Sequence, residues 1–128
     1  MKTILKPLAI AAMLIAMLVP APAFALDMPK DITHEWCQSE DASEQSAMYI
    51  ACKAGEFTVA RKSFGWEDTT CTPLAVRVEE NKARSQSWIV QARCKDYGAN
   101  ATKVETFRFY LHKGTTLILD FLSKRTGA

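Results

Sequence analysis

The sequence predicts a mainly β domain, an antiparallel meander that closes into a small barrel or sandwich and is held by two disulfides. Three observations predict this fold: short runs in which apolar and polar residues alternate, turn-forming residues between those runs, and an even number of cysteines. Successive strands joined by short turns pair antiparallel, and closing a meander of about six strands hides its edges.

The N-terminal half of the domain gives the weaker strand signals. Met48–Cys52 and Phe57–Arg61 are β-prone runs, and the short link with Gly55 between them predicts a hairpin. Gly65 and the polar stretch Glu67–Thr72 predict a loop.

The segment Asp31–Ala47 leaves two alternatives open. The range Asp41–Ala51 begins with a capping residue and has Glu44 three positions later, a pattern that starts helices. Trp36 and Cys37 could equally open the first strand. A short N-terminal helix therefore remains possible beside the strands.

The C-terminal half alternates regularly, which predicts four half-buried strands. The residues predicted to face inward are Leu74, Val76 and Val78, then Trp88, Val90, Ala92 and Cys94, then Phe107, Phe109 and Leu111, and finally Leu117, Leu119 and Phe121. The predicted turns between these strands are Asn81–Ser87, Tyr97–Ala101 and Lys113–Thr115.

The N-terminus predicts export. Two lysines precede the uncharged apolar run Leu8–Val19, and Ala23-Phe24-Ala25 has the small residues of a cleavage site. The run is shorter than the roughly 20 apolar residues that span a bilayer. We therefore expect residues 1–25 to be a signal peptide and residues 26–128 to be a single domain, periplasmic or secreted, without a membrane span.

Charge is balanced overall but not along the chain. The chain has 16 Lys and Arg against 14 Asp and Glu, and the surplus of two is the pair of lysines in the predicted signal. From Leu26 to Ala60 acids exceed bases by seven to two, whereas from Arg61 to Ala128 bases exceed acids by twelve to seven. The sequence has no dense stripe of basic residues like that of a nucleic-acid binder, so no nucleic-acid partner is predicted.

The cysteines predict disulfides in an oxidising compartment. They are 15, 19 and 23 positions apart and form no Cys-x-x-Cys pair, so a metal site that includes His34 and His112 is disfavoured. If the strand after Cys71 pairs with the strand before Cys94, these two cysteines lie close together, which leaves Cys37 with Cys52. The sequence does not exclude the other two connectivities.

Catalytic motifs are absent from the sequence. His34 and His112 are the two histidines, the residue type best suited to acid–base catalysis, and neither sits in a recognisable catalytic setting. Adjacent carboxylates on a strand point to opposite faces and do not converge. The sequence therefore predicts a protein that is not an enzyme and has no cofactor or metal.

A candidate binding surface follows from the strand phase. Arg77, Arg93, Arg108 and Tyr110 fall on outward positions of neighbouring strands. Arginine and tyrosine are enriched at protein interfaces, although long side chains also cover ordinary solvated sheets.

Several short patterns resemble a known group of proteins. They are Trp36-Cys37, Cys52-Lys-Ala-Gly-Glu-Phe-Thr-Val59, Glu67-x-x-x-Cys71, Cys94-Lys-Asp-Tyr-Gly98 and Leu111-His-Lys-Gly114-x-x-Leu117. Together they resemble small secreted proteins of alphaproteobacteria without an assigned function. Tyr49-Ile-Ala-Cys52 also remotely resembles the Tyr-x-Cys strand of periplasmic C-type lysozyme inhibitors, with one additional residue. That resemblance implies a small disulfide-linked β-barrel that binds a protein.

These observations predict a non-catalytic exported domain that binds a protein or another envelope component. The alternatives are a lysozyme-inhibitor-like protein and a barrel that carries a small ligand. A carrier would need an apolar cavity, whereas small barrels are usually filled by side chains.

Overall fold

The computed structural model describes residues 26–39 and 46–122. Within these residues, eight antiparallel strands form a closed barrel in the order β1-β2-β8-β7-β6-β5-β4-β3, preceded by a 3-10 helix at Lys30–Ile32. The strands are β1 Glu35–Gln38, β2 Ser46–Cys52, β3 Phe57–Val59, β4 Phe64–Trp66, β5 Thr69–Lys82, β6 Ser85–Asp96, β7 Lys103–His112 and β8 Thr116–Phe121. The predicted signal peptide, residues 1–25, lies outside the described residues.

The barrel contains the predicted meander. Strands β3 to β8 follow one another in space in chain order, and β2 and β1 complete the ring between β8 and β3. The prediction of a mainly β, antiparallel fold with two disulfides is therefore confirmed, and the barrel, not the sandwich, is the form it takes. Three of the predicted turns join these strands, although the one between β5 and β6 is shorter than Asn81–Ser87 because pairing continues to Lys82 and Ser85.

The predicted hairpin between Met48–Cys52 and Phe57–Arg61 is wrong. β1 lies between β2 and β3 and pairs antiparallel with both, and β3 ends at Val59. The short link from β2 to β3 therefore passes β1, and Gly55 packs against the backbone of Trp36. The Gly55 signal marks this close approach and not a tight turn.

The predicted loop at Gly65 and Glu67–Thr72 is also wrong. Phe64–Trp66 forms β4, and β5 begins at Thr69, so only Glu67 and Asp68 remain as the turn between two paired strands. Alternation is hard to see in a three-residue strand, and here Gly65 occupies its central position. A side chain at Gly65 would meet the carbonyl oxygen of Thr69 at 2.1 Å, so glycine permits the close pairing of β4 with β5.

The open question at Asp41–Ala51 is settled in part. Residues from Ser46 onward form β2, which pairs with β1 and β8. Trp36 and Cys37 lie in β1, so the strand alternative is right there. The proposed capping residue Asp41 and Glu44 lie outside the described residues.

Aromatic side chains fill the barrel interior. The largest side chains that are almost fully buried are Trp36, Phe57, Phe64, Phe107 and Phe109. Phe64 packs edge-on against Phe107 and Phe109, with ring centroids 5.2 and 5.1 Å apart. Most of the residues predicted to face inward from β6, β7 and β8 are buried, with Phe121 partly so.

One inward prediction fails on β5. Val76 is buried, but Val78 is 59% exposed. β5 pairs with β4 only from Thr69 to Cys71, so within the described residues its later part has β6 as its one strand neighbour. Two register shifts interrupt its pairing with β6, and Val78 lies beside the second of them.

Both disulfides match the favoured pairing. Cys71 and Cys94 are direct cross-strand partners in β5 and β6, with α-carbons 4.0 Å apart. Cys37 joins Cys52 between β1 and β2, with α-carbons 5.7 Å apart. Each disulfide thus reinforces a pair of neighbouring strands.

Candidate binding surfaces

The first candidate surface is the outward side of β5 to β8, where side chains form cross-strand rows. Arg77 pairs with Ile89, Ile89 with Arg108, and Arg108 with Asp120. Directly paired residues point to the same face of a sheet. The strand register therefore places Arg77 and Arg108 in one row, separated by a single residue.

Arg108 is held by an acidic partner on β5. Its Nε and Nη2 donate hydrogen bonds to the two carboxylate oxygens of Glu79, at 2.8 and 3.1 Å. The Ser87 hydroxyl donates to the same carboxylate at 3.0 Å. The hydrogen bonds from Arg108, and to a smaller extent the one from Ser87, hold the pKa of Glu79 below its usual range. The Glu79 carboxylate in turn raises the pKa of Arg108. Asp120 adds a weaker ion pair at 3.8 Å.

A second row on the same side is apolar. Tyr110 pairs with Ile118, and Ile118 pairs with Met48 of β2. Ile50, one outward position further along β2, is 51% exposed. These apolar residues were missed from the sequence because β2 was not expected to pair with β8. Alternation along β8 predicts that Ile118 points outward but does not show which residues lie beside it.

We define the outer face as the residues of these two rows, with Ile50. Its members are Arg77, Ile89, Arg108, Asp120, Tyr110, Ile118, Met48 and Ile50.

The predicted surface residues are thus only partly brought together. Arg77, Arg108 and Tyr110 lie on the outer face. Arg93 is exposed on β6 two outward positions away from Ile89, opposite the half-exposed Val104. Within the described part of the chain, neither Arg77 nor Arg93 forms an ion pair.

The second candidate surface is a groove of about 650 Å³ at the barrel end where β4 and β6 finish. We call it the end groove. Its lining residues are Glu56, Trp66, Glu67, Asp68 and Tyr97. The sequence places Glu67 and Asp68 in a predicted loop and Tyr97 in a predicted turn, with no local signal that brings them together.

Hydrogen bonds hold the Trp66 side chain and the Tyr97 backbone at the end groove. The Trp66 indole donates to the Tyr49 hydroxyl at 2.9 Å. Burial raises the pKa of Tyr49, which therefore keeps its phenolic proton near neutral pH. The Tyr97 amide donates to the Asp68 carbonyl at 2.7 Å, while 91% of Tyr97 is exposed.

The two histidines contact aromatic rings. His34 packs edge-on against Trp36. His112 stacks on Tyr110 with ring centroids 5.9 Å apart, and the Tyr110 hydroxyl lies 3.4 Å from its Nδ1. Among the described residues, no cluster of His, Cys, Asp and Glu is placed to hold a metal ion.

No protein-family model, curated protein or solved structure matches this chain. In residues 26–39 and 46–122, no helix has the length and apolar character needed to cross a membrane.

Proposed function

We propose that this protein is a non-catalytic, exported binding domain whose outer face recognises an acidic protein of the cell envelope. The observation that carries the proposal is the cross-strand arrangement that sets Arg77 and Arg108 beside the apolar row of Tyr110, Ile118 and Met48. Export is supported by the signal-like N-terminus and by two disulfides, which persist in oxidising compartments.

The composition of the outer face supports protein recognition. Arginine, tyrosine and methionine are enriched where proteins bind each other, and an apolar centre with a polar rim is the usual anatomy of such contacts. Ile50 supplies further exposed apolar surface at one side. Arg108 is held in place by Glu79, which reduces the entropy lost when a partner binds.

The acidic character of the partner follows from charge. Arg77, whose charge contributes to lowering the pKa of Glu79, makes no ion pair within 4 Å in the described residues, and neither does Arg93, which lies two outward positions further along β6. Exposed charges accelerate the encounter with an oppositely charged surface, and this effect weakens as salt is added. The aromatic filling of the barrel interior supports a binding role for the outer surface over the alternative of a ligand carrier.

The proposal is tested by photo-crosslinking in cells that make the protein. A photoreactive amino acid replaces Ile118 on the outer face or, as the control, the exposed Lys53 on the link between β2 and β3. We expect one dominant adduct with an acidic envelope protein from position 118 and no such adduct from position 53. Equal adducts from both positions would contradict the proposal.

The purified partner is then titrated with an Arg77→Glu, Arg93→Glu variant. We expect an affinity loss of about tenfold or more and a shallower dependence on salt. The control variant Lys30→Glu, Lys53→Glu changes the net charge equally and should bind within about twofold of the unchanged protein. Lysozyme is titrated in parallel because of the resemblance to lysozyme inhibitors. If the protein bound lysozyme and both variants bound it equally well, the outer face would not be the binding surface.

A further inference from the structure

We propose that the end groove binds an organic cation, the side chain of an arginine or lysine in a basic peptide segment. This site is separate from the outer face. Its ligand is positively charged, whereas the proposed partner of the outer face is acidic. The inference rests on a groove of about 650 Å³ whose lining combines two aromatic rings with three carboxylates.

The aromatic rings provide a surface for a cation. Guanidinium and ammonium groups are attracted to the faces of Trp and Tyr within about 6 Å of the ring centroid. Trp66 is half-buried: its ring packs on Phe57 with centroids 4.8 Å apart, and its bond to the Tyr49 hydroxyl holds the indole in one orientation. Tyr97 is the most exposed of the large apolar side chains in the described residues. An aromatic side chain left this accessible beside a groove gains burial when a ligand covers it.

The charges of the lining select a cation over a neutral ligand. Glu56, Glu67 and Asp68 line the end groove, and no basic residue among those the structure describes does so. Lys95 lies in the adjoining depression, where Asp96 accompanies it. The lining is therefore strongly acidic, and a basic side chain would meet carboxylates and the exposed ring of Tyr97 there.

The carboxylates are held on short, well-anchored segments. Glu67 and Asp68 form the two-residue turn between β4 and β5, which Gly65 allows to pair closely. A Glu56 carboxylate oxygen accepts a hydrogen bond from the Gln38 amide of β1 at 2.6 Å. The backbone that carries these carboxylates is thus ordered before a ligand binds.

The probe is an N-acetylated tri-arginine amide, compared with the tri-citrulline amide. Citrulline has nearly the shape and hydrogen-bonding groups of arginine but no charge. Binding is followed by NMR through the indole N–H of Trp66, assigned by the Trp66→Phe variant. We expect the arginine peptide to shift this signal in a saturable, salt-sensitive way, with affinity about tenfold above that of the citrulline peptide.

Variants locate the site and test its chemistry. Tyr97→Ala and the double variant Glu67→Gln, Asp68→Asn should each weaken binding of the arginine peptide by about tenfold. Glu35→Gln removes an exposed carboxylate at the other end of β1 and should leave affinity unchanged. Equal binding of the citrulline peptide would overturn the proposal.

Two further arms distinguish the possible outcomes. Arg77→Glu, Arg93→Glu should leave arginine-peptide binding unchanged, so failure of the outer face as a binding site would not affect this result. The Lys124→Ala, Arg125→Ala variant tests whether basic residues of the chain itself occupy the groove. A tenfold gain in affinity in that variant would overturn the proposal of an external ligand.

Discussion

Gly55 lies against the backbone of Trp36. A β-carbon built on Gly55 would stand 2.0 Å from the Trp36 carbonyl oxygen and 2.7 Å from its amide nitrogen. Those atoms belong to β1, which is paired on both sides and cannot move away without breaking the barrel. The link from β2 to β3 therefore requires glycine where it crosses β1.

Gly55→Ala should destabilise the protein by about 3 kcal/mol or more, the upper part of the range for overpacking, because the clash is with paired backbone. Urea unfolding followed by tryptophan fluorescence measures the change. Gly98→Ala is the control: Gly98 has a φ of +81° with open space around its α-carbon, so only the backbone strain of about 1 kcal/mol is expected. If the two variants lose equal stability, the close approach of Gly55 is not a real constraint.

The regular part of the fold was predictable because long strands show many alternations. β6 and β7 run for 12 and 10 residues, and their inward residues are buried as predicted. The pairing of Cys71 with Cys94 followed from that phase. β3 and β4 have three residues each, too few to show an alternation of apolar and polar residues. The link with Gly55 resembles a hairpin turn because the local sequence does not reveal that β1 lies between β2 and β3.

The candidate surfaces were less predictable because they depend on pairing between distant segments. Arg108 and Tyr110 were assigned outward from alternation alone. Their apolar neighbour Met48 becomes visible only through the pairing of β2 with β8. The end groove joins the β4–β5 turn to Tyr97 beyond β6, residues that come together only when the barrel closes.

The strand phase is tested by four substitutions. Trp88→Ala should cost about 3–5 kcal/mol because the side chain is 6% exposed, and Arg93→Ala on the same strand should stay within about 0.5 kcal/mol. On β5, Val76→Ala should cost about 2 kcal/mol and Val78→Ala less than about 0.5 kcal/mol, because Val78 is 59% exposed. Denaturation midpoints that rank either pair the other way would contradict the register shifts of β5 or the phase of β6.

The covalent state is tested by mass spectrometry of the exported protein. The product is expected to begin at Leu26, and full reduction should add about 4 Da, two hydrogens for each disulfide. Replacing either cysteine pair with serine should cost about 3 kcal/mol, since the closed loops span 15 and 23 positions. A retained N-terminal segment would contradict the signal, and free thiols in the native protein would contradict the disulfides.

The ion pair of Glu79 with Arg108 makes stability depend on pH. The Arg108 hydrogen bonds lower the pKa of Glu79 in the folded state below the ordinary value of 4.5. A depressed carboxyl pKa contributes stability above its unfolded value, and this contribution disappears as the pH falls through the folded value. Both side chains are about one-third exposed, which screens the interaction and keeps the contribution near or below about 1 kcal/mol.

Glu79→Gln should therefore lower the free energy of unfolding at about pH 7 more than at an acidic pH below the folded pKa of Glu79, where the contribution of the ion pair is lost. Urea unfolding at both pH values measures the two differences. Glu67→Gln is the control, because Glu67 is exposed at the β4–β5 turn and makes no ion pair within the described residues. This substitution should have nearly the same small effect on the free energy of unfolding at both pH values. Added salt should reduce the Glu79→Gln effect at neutral pH because a partly exposed pair is screened. A loss of stability independent of pH and salt would mean that Glu79 acts through packing and that its ion pair with Arg108 contributes little to stability.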